Sequence, residues 1–443
     1  MVGERNALLD PADLAAYAYD ATHYTCVPDI VLLPADTTEV SAILSIANRE
    51  LIPVVARGSG TSLCGGATPL HGGIVLHLAR LDRVLAIDPV EFTATVEPGV
   101  ILADFQRQVE RLGLFYPPDP SSLSVATLGG TVAQGSGGPR GVKYGTTKDY
   151  VIGLEAVLAD GRVLCTSADD GYDLTHLLVT SEGTLAVITK ITVRLLPLPE
   201  AKQTALAVFD SFETAAEAVA ALIAARIVPT TLELMDNFTI RKVEGFRPVG
   251  LPVDAEGMLL MEVDGYPAEV AQQVEEVAAI AARSGAREVK VARSREENDT
   301  LWAGRRAAYA ALAMARPTAV VEDATVPRNR IPDVVRKLKG LATKYRLEVT
   351  VLAHAGDGNT HPIILCDWRD NEEMERVHRF ADELFRATVA MGGTLSGEHG
   401  IGIVKNRFME WQHGPAGIAA MRLVKQVFDP NNILNPGKVL PPC

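Results

Sequence analysis

Residues 56–66 read "ARGSGTSLCGG", and this loop decides how the N-terminal part of the chain folds. A run of β-formers, "IPVVAR", leads into it, and another, "GGIVLHL", follows, so the loop joins strands. A strand ending in Arg57, Gly58, Ser59, Gly60, Thr61 and Ser62 presents backbone N–H groups and hydroxyls at close quarters. That arrangement suits a phosphate or pyrophosphate. No Gly-Lys-Ser/Thr follows, so the loop is not a Walker A element, and the spacing after Gly60 does not fit a dinucleotide-binding GxGxxG. A merely tight turn is the alternative reading.

Outward from the loop, "PDIVLLP", "RVLAID" and "TATVEPG" read as strands, and "DTTEVSAILSIANREL" as a helix opened by Asp36 and Thr37. Then comes "YPPDPSSLSVATLGGTVAQGSGGPRGVKYGTTKDYV", residues 116–151, with no regular pattern and a second cluster of glycines, Gly129, Gly130, Gly135, Gly137 and Gly138. So long an unpatterned stretch is expected to wrap a ligand. Two glycine-rich loops and a wrap point to a large, nearly flat cofactor that carries phosphate.

After "LLPLPE" (195–200) the style changes to longer, alanine-rich helices between well-spaced strands. "TALAVF", a helix over 211–226 and "TTLELMD" form one strand–helix–strand unit; "GMLLMEV", a helix over 267–283 and "REVKVAR" form another. The doubling predicts a ferredoxin-like sheet with helices on one side. A helix around Trp302 to Met314, the strand "TAVVEDATVP" and helices near 330–345 and 371–391 follow.

Lys plus Arg number 42 and Asp plus Glu 55, a net charge of −13, which argues against nucleic acid or an anionic membrane as the main partner. Cys26, Cys64, Cys165, Cys366 and Cys443 are scattered and form no CxxC, so no cysteine-held cluster or disulfide framework is expected. No stretch reads as a signal peptide or a membrane span, and a cytoplasmic location is the expectation.

Chemistry concentrates in the second half. "HAGDGNTHP" (354–362) sits between "LEVTVLA" and "PIIL". If Asp357 and Gly358 are the centre of a two-residue hairpin turn, His354 stands directly opposite His361. Opposed Cβ atoms lie roughly 4.5–5.5 Å apart, close enough for two imidazoles to share a metal ion. "TLSGEHGIG" (394–402) supplies Glu398 and His399, adjacent residues that cannot share one face if extended. One could ligate a metal while the other meets a substrate; a carboxylate with two histidines is a familiar divalent-metal set. In "LWAGRRAAYAAL", Trp302, Arg305, Arg306 and Tyr309 share one face of a helix, and a guanidinium there can clamp a carboxylate. A solvated turn for Glu398–His399 and a surface role for Arg305 are the alternatives.

Together these stretches resemble the FAD-linked oxidases of the vanillyl-alcohol oxidase/PCMH superfamily, among them the glycolate oxidase FAD-binding subunit and the flavin D-lactate dehydrogenases. The resemblance runs from "VPDIVLLPADTTEVSAIL" to "DPNNILNPGKVL", through "RGSGTSLCGG", "PPDPSS", "TLGGTVAQGSGG", "KYGTTKDYVIGLEAV", "SEGTLAVIT", "HAGDGNTH" and "SGEHGIG". It implies an α+β fold: a two-part PCMH-type FAD-binding domain (1–197 with 411–443) and a ferredoxin-like substrate, or cap, domain (198–410). Arg57 to Ser62, Pro118, Asp119, Thr127, Gly129, Gly130, Ser136, Gly137, Tyr144, Asp149, Glu182 and Asn435 would line the FAD. His354, His361 and Glu398 would hold a divalent metal, zinc or manganese, with His399 as catalytic base and Arg305 on the substrate carboxylate.

The implied reaction is oxidation of a small 2-hydroxy acid, glycolate or D-lactate. The implied partners are a companion flavin-like subunit and an iron–sulfur subunit, or another electron acceptor, which could bring the chain to the inner membrane. Members that tether flavin carry histidine about where Thr61 stands, so noncovalent FAD is implied. The D-2-hydroxyglutarate enzymes carry lysine about where Val321 stands, which points to a monocarboxylate. A flavin-free metal protein, hydrolase or binding module, is the reading from a different class.

Overall fold

The computed structural model describes residues 1–168 and 171–442, which leaves Cys443 outside; Cys26, Cys64, Cys165 and Cys366 are free thiols. The chain divides into two compact units. Unit 1 holds Met1–Gly137, Thr146–Leu198 and the chain from Glu398; unit 2 holds Gly138–Gly145 and Pro199–Gly397. The boundary expected at 197 falls after Leu198, whereas the return expected at 410 falls after Gly397. The backbone N–H groups of Ile401 and Gly402 explain the earlier return, because both donate to the buried Glu182 carboxylate of unit 1.

Unit 1 contains strands β1 (Ala7–Leu8), β2 (Ile30–Leu32), β3 (Val54–Arg57), β4 (Ile74–His77), β5 (Val84–Asp88) and β6 (Thr93–Val96). Strands β7 (Leu114–Phe115), β8 (Val151–Val157), β9 (Val163–Ser167), β10 (Val187–Arg194) and β11 (Leu196–Pro197) complete it. They form a four-stranded sheet ordered β1-β2-β4-β3, a five-stranded sheet ordered β5-β6-β10-β8-β9, and the pair β11-β7. Strands β2, β4 and β3 run parallel. The helix Thr37–Glu50 starts where its chemistry dictates: the Asp36 side chain accepts the Glu39 N–H, and Glu39 accepts the Ala35 N–H. Its buried residues Val40, Ile43, Leu44 and Ala47 recur at helical spacing and pack on Val54, Ile74 and Leu76 of the sheet. Burying one such side chain contributes roughly 1.5–3 kcal/mol.

The stretch 116–151, expected to be irregular, contains the helix Leu128–Gln134, capped by Thr127, whose Oγ1 accepts the Gly130 N–H at 3.2 Å. Two glycines in "LGGTVAQ" hide that helix from a propensity reading.

Unit 2 is built on β12 (Ala201–Phe209), β13 (Thr231–Asp236), β14 (Gly257–Gly265), β15 (Glu288–Val291), β16 (Thr318–Val321), β17 (Ala324–Thr325), β18 (Glu348–His354) and β19 (Asn359–Cys366). The sheet order is β15-β12-β14-β13-β18-β19-β16, with β17 on β19. The first four strands have the order 4-1-3-2, the ferredoxin-like arrangement the doubled motif predicts. Helices cover both faces, not one. Phe212–Ala224, Pro267–Arg283, Ile331–Tyr345 and Asn371–Ala390 pack on one side; Asn237–Phe246 and Arg295–Ala313 pack on the other. That second side carries the site.

Candidate active site

On the second face of the unit 2 sheet, Glu233 of β13 is the direct cross-strand partner of His354 of β18. His361 of β19 stands opposite Leu352, and His354 opposite Asn359. The hairpin therefore closes through four residues, 355–358, not two. Asp357 N–H donates to the His354 carbonyl, the Asp357 side chain accepts the Asn359 N–H at 3.1 Å, and Gly358 takes φ 86°. No side chain fits at 358, where a Cβ would lie 2.1 Å from the Val326 carbonyl oxygen. Lengthening the turn by two residues moves the register by two, which keeps both histidines on one face because side chains alternate with period two. His354 and His361 thus meet diagonally, edge to face, with ring centroids 4.9 Å apart and ligand nitrogens within 4.8 Å. Both are buried.

The helix Arg295–Ala313, capped by Ser294, lies over this face and supplies Arg305. Trp302 and Arg305 are buried, but Arg306 and Tyr309 are exposed, so the four-residue face expected there is split. Trp302 Nε1 donates to the buried Glu262 carboxylate, away from any guanidinium clamp. Arg305 Nε donates to Glu233 Oε2 at 2.6 Å, while Glu233 Oε1 lies 2.6 Å from His354 Nδ1. Burial alone would raise the Glu233 carboxyl, but Arg305 and His354 outweigh it and hold it below its ordinary range. Glu233 is therefore a carboxylate, and His354 Nδ1 is the donor. With Nδ1 as donor, Nε2 is the nitrogen through which His354 could meet a metal. Two imidazoles with the Glu398 carboxylate form a donor set that suits zinc or manganese.

Sequence reading missed Glu233. Its signal was an acidic residue in "TTLELMD", a strand apolar on both faces, where an ionised side chain demands a partner. Asp323 was missed too: its Oδ2 accepts Ser396 Oγ at 2.9 Å and the Gly397 N–H at 2.7 Å, anchoring the residue just before Glu398. Val321 lies on the same face, opposite Ile363. Tyr144 belongs to unit 2, where its hydroxyl donates to Asp264, beside Lys143 Nζ at 2.5 Å from the same carboxylate.

The remaining FAD candidates lie in unit 1. Arg57, Gly58, Ser59 and Thr127 line one cavity of about 570 Å³ with Tyr17 and His77. A Cβ at Gly60, where φ is 72°, would lie 2.2 Å from Arg57 Nη2, so the loop must cradle its own arginine there. Ser62 Oγ accepts the Cys64 and Gly66 N–H groups, and Ser59 Oγ donates to the Val125 carbonyl, while Thr61 is half-buried. Asn435 Nδ2 donates to the Gly66 and Glu182 carbonyls, but its buried Oδ1 has no partner among the described residues. A cradle beside a buried cation and a spare buried acceptor fit a phosphate-bearing cofactor with ring N–H groups.

Several other candidates hold the protein itself together. The Pro118 carbonyl accepts Gln106 Nε2, and the Ser136 carbonyl accepts Thr147. Gly129 packs on Pro98. Asp149 caps Thr146, and Asp119 is half-buried. Glu398 and His399 are half-buried, with Glu398 Oε2 placed 2.9 Å from where a Gly137 Cβ would stand. No helix among the described residues is long and apolar enough to cross a membrane.

Comparison with known proteins identifies the family. The family described as "FAD linked oxidases, C-terminal domain" matches residues 198–439, and the "FAD binding domain" family matches residues 28–167. The chain is 47% identical to the glycolate oxidase subunit GlcD of Bacillus subtilis, over 96% of this chain and 91% of that one. It is 39% identical to a D-lactate dehydrogenase of Archaeoglobus fulgidus, covering 97% and 96%. A crystal structure of p-cresol methylhydroxylase with substrate bound superposes with a TM-score of 0.83 at 17% identity, covering 99% and 95%, which shows a common fold. An FAD-binding match of this kind decides against the flavin-free reading. The chain is a member of the FAD-linked oxidases, matching both their FAD-binding domain and their C-terminal domain.

Proposed function

We propose that this chain is the flavin-bearing dehydrogenase subunit that oxidises glycolate to the 2-oxo acid, with D-lactate as the alternative substrate. The observation that carries the reading is that His354 and Arg305 both bond Glu233 on one side of the unit 2 sheet, with His361 packed against His354. Such a group binds a small anion that also carries an ionisable oxygen. The identity to a glycolate oxidase subunit favours glycolate; the identity to a D-lactate dehydrogenase keeps D-lactate open.

Arg57 to Ser62 and Asn435 would hold FAD noncovalently, and FAD would supply a two-electron acceptor. His354, His361 and Glu398 would hold a divalent metal, zinc or manganese, which would supply Lewis-acid polarisation. Arg305 offers its terminal N–H groups to the substrate carboxylate, since its Nε is already engaged by Glu233. His399 removes the hydroxyl proton as the α-C–H bond breaks. Asp323 steadies the strand of chain that presents Glu398 and His399 by gripping Gly397. Electrons would then leave to a companion subunit or another acceptor; the five cysteines are scattered and form no CxxC.

The test is a steady-state screen of glycolate, D-lactate, L-lactate and D-2-hydroxyglutarate with an artificial electron acceptor. Turnover of glycolate or D-lactate well above the other two supports the reading. Turnover confined to L-lactate or D-2-hydroxyglutarate overturns it.

A further inference from the structure

Glu233 is fully buried and carries two contacts, one to each side: His354 Nδ1 on Oε1 and Arg305 Nε on Oε2, both at 2.6 Å. It sits in register opposite His354, so the backbone ladder, not a flexible loop, sets the distance. We propose that Glu233 is a positioning residue that holds His354 with its proton on Nδ1 and so presents Nε2 to a metal, while aiming Arg305 at the substrate carboxylate. This rests on the metal and substrate roles proposed above.

The chemistry is specific. A carboxylate only accepts, so two donors can share it. An amide offers one acceptor and one donor group. In Glu233→Gln, Arg305 cannot change, because a guanidinium has no acceptor, so the amide oxygen goes to Arg305 Nε. The amide N–H₂ then faces His354 Nδ1. Histidine is the partner that can adapt: its proton moves to Nε2, and Nδ1 becomes the acceptor. The ring still has a hydrogen bond, but the atom meant for the metal is now protonated. Metal affinity should fall while the carboxylate clamp survives. A purely structural role for Glu233 predicts a different pattern, lost stability with both functions falling together.

The experiment titrates Co²⁺ into substrate-free, FAD-loaded protein, reading the visible cobalt spectrum and scoring flavin content on the same samples. The Gln variant should bind Co²⁺ roughly 10–100-fold more weakly than wild type, with full flavin occupancy and KM for the hydroxy acid within a few-fold once metal is saturating. Glu233→Asp keeps two acceptors and should recover part of the affinity. Wild-type Co²⁺ affinity in the Gln variant, or equal losses in the Asp and Gln variants, overturns the proposal. His361→Ala separates the two levels: if it binds Co²⁺ as tightly as wild type, the metal reading itself has failed, and this inference with it. Should the Gln variant not fold, ¹⁵N-histidine labelling of the wild type reads the tautomer directly, with His354→Gln assigning the signal. A proton on Nδ1 of His354 supports the proposal, and a proton on Nε2 overturns it.

Discussion

His361 stands opposite Leu352 in the β18–β19 hairpin, yet its ring lies against that of His354, with centroids 4.9 Å apart. The contact is diagonal, and only the shared face of the two strands makes it. If that pair holds a metal, His361→Ala should lose roughly 10²-fold or more in turnover, since metal polarisation is worth several kcal/mol. Flavin content should be unchanged, because the FAD candidates of unit 1 are untouched. Elemental analysis and turnover on the same preparation check it. Full turnover in a variant shown to be metal-free would leave the histidines merely structural.

That diagonal also marks how far the sequence could be read. Asp357-Gly358 announced a hairpin, and the even spacing of His354 and His361 placed both on one face whichever turn length closed it. The turn length itself was not legible, because it depends on how closely Gly358 packs on the Val326 carbonyl, a residue far away in sequence. The doubled strand–helix–strand pattern revealed the ferredoxin-like core, since each unit announces itself by local period. Which faces the later helices cover depends on tertiary packing, and so Arg295–Ala313 over the second face was hidden. Glu233 was visible as an oddity in an apolar strand, but its two partners lie 72 and 121 residues away. The return at Gly397 was likewise set by distant groups, Asp323 on one side and Glu182 on the other.

Val321 lies beside Ile363, on the same sheet face as His361. An apolar side chain there leaves a second substrate carboxylate unpaired, and stranding a charge costs several kcal/mol. D-2-hydroxyglutarate should therefore show kcat/KM roughly 10²–10³-fold below that of the preferred monocarboxylate. Val321→Lys should narrow that ratio. Comparable kcat/KM for the two substrates in the wild type would refute this role for Val321.

Lys438 donates to the Gly66 carbonyl at 3.0 Å and also to that of Thr68, so it fastens the C-terminal segment to the glycine loop. Burial pushes its ammonium down from 10.5 to about 8, against the opposing fields of Asp20, Cys64 and Glu182. Between those values the unfolded chain holds more protons than the folded one, so this group's contribution to stability rises with pH there. Wild type should gain on Lys438→Met by about 1–2 kcal/mol between roughly pH 7.5 and pH 9.5. Urea unfolding of both proteins at the two pH values measures the gap. A gap that is constant or shrinks contradicts the buried, charged lysine.

Glu398 and His399 are adjacent but are assigned different atoms to act on. His399→Asn keeps a polar side chain that cannot take a proton, so metal and FAD should stay while general-base catalysis, typically 10²–10⁴-fold, is lost. Glu398→Gln should lose metal first, and excess metal should restore part of its rate. Metal content and turnover of both variants, with and without added metal, decide between the roles. Identical behaviour in the two variants would remove the distinction.

A small 2-hydroxy acid should reduce this chain's own flavin. Anaerobic stopped-flow mixing of the flavin-loaded protein with glycolate or D-lactate tests it without any electron acceptor. The oxidised-flavin absorption should bleach in a single turnover, with one 2-oxo acid formed per flavin and a rate at least about 10²-fold slower in His399→Asn. Flavin that stays oxidised with both acids, in protein carrying full FAD and metal, would contradict it.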